Sequence, residues 1–227
     1  MKYIIIGMGN FGASLSQKLT EMGNEVIGVD NSMTKVEAIK DRITHAVCMD
    51  CTDFQAVSSL PLDETDIVIV GIGEDAGANI MVTALMKQLK VKRLVSRAVS
   101  PLQETVIQAI GVDEIIHPEE ETAERWAKKL NMSGVVDSFE INDDYSIIEV
   151  KVPKRYANKT IQQVGFRPKY NIVVLTTIKT VEEKNLLGLP RKVNKVQGVA
   201  SPDTRLNPDD ILVIYGKNTD IQNLLTE

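Results

Sequence analysis

Histidine, cysteine, aromatic residues, long apolar runs and excess positive charge are all scarce in this sequence. Aromatic residues make up 4% of the 227 residues, and there are two histidines and two cysteines. No apolar run approaches the roughly 18 residues that span a membrane, so we expect no direct membrane insertion and no signal peptide. The net charge of −5 offers no basic surface for nucleic acid. These absences favour a cytoplasmic globular protein that does not bind nucleic acid.

The two cysteines, Cys48 and Cys51, have the C-x-x-C spacing of redox motifs. Such motifs place the first thiolate at the start of a helix, whereas Cys48 lies inside the apolar run 45–49. We therefore predict that Cys48 is a small core residue. A single pair of cysteines also cannot supply the four ligands of a structural zinc site.

The start of the chain combines a β-branched run with a glycine-rich turn and a helical pattern. Gly7 permits a tight turn, Gly9 lets a pyrophosphate approach the backbone, and Gly12 lets the helix pack on the strand. Asp30 follows Gly12 by 18 residues, at the end of the next strand signal. A carboxylate there binds a ribose diol and repels a 2′-phosphate. The pattern predicts a nucleotide site in which Asp30, facing solvent when no ligand is bound, anchors the ribose.

Strand and helix signals alternate through residues 1–118, which predicts an α/β domain with a Rossmann-like, doubly wound parallel sheet. The longest predicted helix spans 79–90. Ligands of such sheets bind at the carboxyl ends of the strands. The candidate cofactor-binding residues at those ends are Gly7, Met8, Gly9, Asn10, Phe11, Gly12, Asp30, Asn31, Asp50, Cys51, Gly73, Glu74 and Arg97.

Three of these side chains have open roles. Asp50 fits either an adenine amino group or the cap of the following helix. Glu74 fits a ribose, a metal ion or a solvated loop. Arg97 fits a phosphate, which its planar guanidinium binds as a fork, or a solvated loop.

The character of the chain changes after a second helical pattern. Residues 119–134 form a predicted crossover helix and hinge, with Trp126 and Leu130 on its apolar stripe. Residues 135–227 alternate with a period of two, which predicts half-buried strands and a small C-terminal α+β subdomain. Within it, residues 180–198 read as an extended hairpin excursion.

Several segments, in order and spacing, carry a resemblance that runs nearly end to end. They are the first-strand glycine motif, Asp30, the run from Thr44 to Asp50, and residues 111–119, 144–149, 167–170 and 207–212. On these segments the chain resembles the cytosolic regulatory subunits of bacterial Trk/Ktr potassium uptake systems. Those subunits consist of an N-terminal RCK (regulator of potassium conductance) domain and a C-terminal RCK subdomain. The excursion at 180–198 is longer than that family usually has.

The resemblance implies a homodimer, formed by exchange of the helix after His117, that assembles into an octameric ring beneath a membrane potassium channel. It implies ATP or ADP in the first domain, with Mg²⁺ or Ca²⁺ bound beside the nucleotide by Glu119. Some members of the family also bind a second ligand, cyclic di-AMP, between paired C-terminal subdomains, which in this chain would lie near Arg167, Asn171 and Pro202. Several ATP-responsive members carry arginine where this chain has Asn10, and asparagine lacks that charge. NAD, NADH and AMP therefore stay open as ligands.

We interpret the chain as a non-enzymatic, ligand-gated regulator at the inner face of the cell membrane. One alternative is an NAD-dependent oxidoreductase, because the first half alone would suit one. Hydride transfer usually needs an acid or base beside the nicotinamide, and His45 and His117 sit at strand ends without an evident substrate domain. A second alternative is a nucleotide sensor for some other transporter.

Overall fold

The structure is a computed structural model that describes residues 1–131, 134–184 and 189–226. The chain divides into two compact units, Met1–Glu120 and Glu121–Glu227. Residues 132–133 of the predicted hinge and 185–188 of the predicted excursion lie outside the described residues. No helix in the described part of the chain is long and apolar enough to cross a membrane.

The first unit alternates strands with helices along its whole length. Its elements are β1 (Lys2–Ile6), α1 (Asn10–Glu21), β2 (Glu25–Asp30), α2 (Met33–Ile39), β3 (His45–Cys48), α3 (Phe54–Val57), β4 (Ile67–Val70), α4 (Ala76–Gln88), β5 (Leu94–Arg97), α5 (Pro101–Ile110) and β6 (Glu114–Ile116). The six strands are parallel, in the order β3-β2-β1-β4-β5-β6. The order reverses between β1 and β4, so the predicted Rossmann-like, doubly wound sheet is confirmed.

The central strand β1 is buried on both faces. Ile4 and Ile6 pack into one apolar cluster with residues of β4 and α4, and Ile5 packs into another with residues of β2 and α2. All three isoleucines are at most 2% exposed. Helices therefore cover both faces of the sheet, and the free carboxyl ends of the strands are left to form the site.

Two local predictions in this unit are corrected. Helix α4 begins at Ala76 rather than at Asn79, because the side chain of Asp75 caps it by accepting a hydrogen bond from the Ala78 N–H at 2.9 Å. Cys48 is exposed and Cys51 is the buried cysteine. The prediction from the apolar run 45–49 was wrong because β3 is the edge strand of the sheet, where the side chains of an apolar stretch need not be covered.

The second unit is built on an antiparallel sheet. Helix α6 (Pro118–Asn131) begins in the first unit and continues into the second. The elements that follow are β7 (Val135–Glu140), β8 (Tyr145–Lys151), α7 (Ile161–Val164), α8 (Phe166–Tyr170), β9 (Val173–Lys184), β10 (Pro190–Val196), β11 (Ile211–Lys217) and α9 (Asn218–Thr226). The strand order is β10-β9-β11-β8-β7. This arrangement confirms the predicted α+β class of the C-terminal part.

Candidate nucleotide-binding site

A crevice with a volume of about 370 Å³ lies in the first unit, lined by residues at and beyond the carboxyl ends of its strands. The predicted residues that line it are Gly7, Gly9, Asn10, Phe11, Asp30, Asn31, Asp50, Cys51, Gly73, Glu74, Arg97 and Glu119. Met8 and Gly12 were also predicted to bind the cofactor, but they stand outside this lining. The walls thus come from the two strands at which the sheet order reverses and from their neighbours.

The three glycines of the first turn are needed for different structural reasons. Gly7 has a φ of +99°, which L-residues with side chains rarely adopt. A Cβ on Gly12 would lie 1.9 Å from the carbonyl oxygen of Gly7, so this contact between helix and strand requires glycine. A Cβ on Gly9 would meet nothing within 4 Å. Gly7 and Gly12 therefore shape the loop, while Gly9 leaves open space next to the start of α1, whose first N–H groups suit an anion.

Asp30 is buried, which corrects the expectation that it faces solvent. The residue is 7% exposed. One carboxylate oxygen accepts a hydrogen bond from the Met8 N–H at 2.7 Å, and the other accepts one from the Ser32 N–H at 2.8 Å. Asp30 therefore ties the glycine loop to the end of β2. Each oxygen still has acceptor capacity, so a ribose hydroxyl can bind to it.

Met8 contributes to the framework of the loop rather than to the wall of the crevice. Its side chain is 4% exposed and packs in the core cluster that contains Ile5. Its N–H is the group that Asp30 holds.

Asp50 and Cys51 follow β3 and form the next part of the wall. The side chain of Asp50 accepts hydrogen bonds from the N–H of Thr52 at 2.9 Å and from its hydroxyl at 2.7 Å, which lower the pKa of Asp50. The helix cap is Asp53, which accepts from the N–H of Gln55. Burial, and then the charges of Asp50 and Asp30, raise the pKa of Cys51 to about 12. Cys51 is therefore a neutral thiol and a small apolar wall residue.

Arg97 forms the opposite wall at the end of β5. Its guanidinium donates to the carbonyl of Gly71 at 3.2 Å, lies 5.7 Å from the centroid of the Phe11 ring, and pairs with the carboxylate of Glu119. Its side chain is 13% exposed. A Cβ on Gly73 would lie 2.4 Å from the Arg97 Cζ. Glycine at position 73 therefore makes room for the guanidinium.

The backbone beneath Arg97 is held by Asn79, which the sequence did not single out. Asn79 is fully buried in α4, and its side-chain amide donates to the carbonyls of Ile72 at 2.9 Å and Arg97 at 3.2 Å. It therefore bridges the segments that end β4 and β5. An asparagine on the same helix stripe as Val82 and Met86 was the available signal, because buried amides need partners.

Lys35 is a second residue that the sequence analysis missed. It lies in α2, lines the crevice, and pairs with Glu74 at 3.2 Å. The signal was positional: α2 starts directly after the carboxyl end of β2, so its first turn borders the crevice. Both side chains are well exposed, 37% for Lys35 and 83% for Glu74, so this pair is weak.

Glu119, the predicted metal ligand, is engaged by Arg97 in this structure. The residues that the structure describes contain no group of three or more histidine, cysteine, aspartate or glutamate side chains that could hold a metal ion. Mg²⁺ commonly combines one or two carboxylates with phosphate oxygens of a substrate. A cation at Glu119 would therefore need oxygens from a bound nucleotide.

The predicted second ligand site lies in the second unit. Asn171, with a φ of 55°, lines a groove beside α8 and donates to the carboxylate of Asp220 at 3.4 Å. Arg167 and Pro202 are outside the lining of this groove. The carbonyl of Pro202 accepts a hydrogen bond from the N–H of Gln162 at 2.9 Å. Of the three residues predicted for the second ligand, only Asn171 lines this groove.

A family model matches the first part of the chain, and relatives among known proteins match nearly all of it. Residues 3–118 match the TrkA-N domain family model. The chain is 33% identical over 220 residues to Ktr system potassium uptake protein C of Bacillus subtilis (strain 168), covering 97% of this chain and 94% of that protein. It is 31% identical over 226 residues to Ktr system potassium uptake protein A of the same organism, covering 100% and 96%.

Among solved structures, the chain shares its fold with GsuK. The RCK domain of GsuK aligns with a TM-score of 0.65 at 15% identity, covering 100% of this chain and 48% of that one. The GsuK channel bound to NAD aligns with a TM-score of 0.66 at 15% identity, covering 100% and 39%.

Proposed function

The chain belongs to the TrkA-N domain family and is related over its full length to Ktr potassium uptake proteins, and from this we propose that it is a cytosolic regulatory subunit of a membrane potassium transporter. In this proposal it is not an enzyme. It binds an adenine nucleotide in the crevice of the first unit and thereby controls ion uptake by its membrane partner. The single observation that carries the proposal is full-length similarity to potassium uptake proteins in a chain whose own crevice has the features of a nucleotide site.

The crevice offers a partner for each part of the nucleotide. The glycine loop and the start of α1 would hold the phosphates, Asp30 would hold the ribose, and the Asp50 side of the crevice would face the base. Glu119 would bind Mg²⁺ or Ca²⁺ together with phosphate oxygens. ATP and ADP are the first candidates. NAD, NADH and AMP are alternatives because Asn10 supplies no positive charge, and because the fold neighbour GsuK is described bound to NAD.

Control of the transporter would follow from linkage. A nucleotide that binds one conformation of the subunit better than another shifts the population by its differential affinity, and the partner channel responds to that shift. We propose a homodimer that assembles into an octameric ring. Support comes from α6, which has no buried residue and exposes Trp126 (52%) and Leu130 (78%). Light scattering should report an oligomer built on dimers at micromolar concentration; a monomer would contradict this part of the proposal.

The experiment that tests the function has two arms. Mass spectrometry of the purified protein should identify a copurified adenine nucleotide. Co-expression with a Trk/Ktr-type membrane subunit of the same organism, in cells without potassium uptake of their own, should restore growth at low potassium concentration. Restoration should be lost with the Asp30→Ala variant. Growth that is the same with and without the chain would contradict the regulatory role.

A further inference from the structure

The ion pair between Arg97 and Glu119 lies in the crevice that is proposed to bind the nucleotide. Both residues line the crevice, Arg97 at the end of β5 and Glu119 as the second residue of α6. The Arg97 guanidinium is almost buried, with its side chain 13% exposed, whereas the side chain of Glu119 is 62% exposed. Arg97 is therefore fixed in the wall, and Glu119 is the partner that is able to move.

The hydrogen bonding of Arg97 is incomplete while it is paired with Glu119. One terminal nitrogen donates to the carbonyl of Gly71, the other meets the Glu119 carboxylate, and the buried Nε has no hydrogen-bond partner among the described residues. A phosphate presents three acceptor oxygens and more negative charge than one carboxylate. It could therefore satisfy the guanidinium more fully than Glu119 does.

We propose that Glu119 occupies Arg97 as an internal competitor, and that the phosphate of a bound nucleotide displaces it. This inference rests on the proposed function, because it assigns a regulatory contact to the same crevice. Displacement releases the first turn of α6, the helix that continues from the first unit into the second. Nucleotide binding is thereby coupled to the start of α6. The released carboxylate also becomes available to a divalent cation.

Binding is measured by calorimetry of the full-length chain with ATP and with adenosine, in a metal chelator and in Mg²⁺. In chelator, Glu119→Gln should bind ATP about two- to fivefold more tightly than wild type, because the crevice is no longer partly closed by its own carboxylate. Adenosine, which has no phosphate, should bind both proteins equally. Mg²⁺ should strengthen ATP binding by wild type more than binding by Glu119→Gln.

Two further variants make the result specific. Glu124→Gln removes an exposed carboxylate of the same helix outside the crevice and should match wild type throughout. Arg97→Gln should weaken ATP binding about tenfold or more and should change adenosine binding little. In the double variant, Glu119→Gln should no longer tighten ATP binding. In wild type, ATP should also speed hydrogen–deuterium exchange in the second turn of α6, whose N–H groups bond to the carbonyls of the first turn.

The outcomes separate this inference from the proposed function. Wild type that binds ATP, together with a Glu119→Gln variant that binds it equally or more weakly in chelator, would overturn the competition. If Glu119→Gln tightened adenosine binding as much as ATP binding, the competition would be overturned as well, since the effect would not involve the phosphate. Wild type that binds no nucleotide would overturn the proposed function instead.

Discussion

Two parts of the crevice lining are built differently. The wall formed by the glycine loop and Asp30 is part of the fold: Asp30 is 7% exposed and holds the Met8 N–H, and a Cβ on Gly12 would lie 1.9 Å from the carbonyl oxygen of Gly7. A second part of the lining consists of charged side chains in pairs, Arg97 with Glu119 and Lys35 with Glu74. Changes of Asp30 and Gly12 should therefore alter stability and binding together, and changes of the paired charged side chains should alter binding almost alone.

Gly12→Ala should have the largest effect on stability. The new Cβ would lie 1.9 Å from a backbone oxygen that cannot move without moving the loop, so we expect a loss of about 3 kcal/mol in the free energy of unfolding. Gly9→Ala is the matched control, because its Cβ meets nothing within 4 Å. Urea unfolding should show Gly9→Ala near wild type, and calorimetry should show that it still weakens nucleotide binding. Equal unfolding curves for both variants would refute the division between the two glycines.

Asp30→Ala should affect both properties. It leaves two backbone N–H groups without their acceptor, so we expect a loss of about 1–3 kcal/mol in stability. Nucleotide binding should weaken at least about tenfold, since charge-assisted hydrogen bonds to the ribose are lost.

Asp66→Ala is the control for this variant. Asp66 accepts a hydrogen bond from the Lys2 N–H at 2.9 Å, at the other end of β1, so its loss should lower stability without changing nucleotide affinity. If Asp30→Ala bound ATP, ADP and NADH as well as wild type, Asp30 would be a structural residue only.

The same carboxylate should exclude NADPH. Its 2′-phosphate would be forced against Asp30, which is buried and held by two hydrogen bonds. In calorimetric titrations we expect NADPH to bind more weakly than NADH, and we expect Asp30→Ala to narrow the difference. A wild-type preference for NADPH would contradict the assignment of Asp30 to the ribose.

Lys35→Gln should have the smallest effect. Its pair with Glu74 is well exposed, so stability should change by less than about 0.5 kcal/mol in the same unfolding assay. Nucleotide binding should weaken only a few-fold, and the effect should shrink at high salt because exposed charges are screened. A loss of stability comparable to that of Asp30→Ala would contradict the view that the paired charged side chains are added to a finished fold.

The parts of the site that depend on backbone geometry could be predicted from the sequence. The glycine spacing and Asp30 pointed to the crevice, and the resemblance to Trk/Ktr subunits was confirmed by the relatives. Asp30 was expected to face solvent because a sequence does not show that the Met8 N–H turns towards it. Cys48 was misplaced because the order of strands in the sheet decides which strand lies at the edge. Lys35 was missed because its partner is distant along the chain.

One titration tests most directly the claim that the first unit is a nucleotide sensor: calorimetry of the full-length chain with ATP, ADP, AMP, NADH and NADPH. We expect saturable binding of an adenine nucleotide with one site per chain, weaker binding of NADPH than of NADH, and a loss of at least about tenfold in Asp30→Ala. The absence of binding of all five ligands, or binding that is the same in Asp30→Ala and wild type, would contradict it.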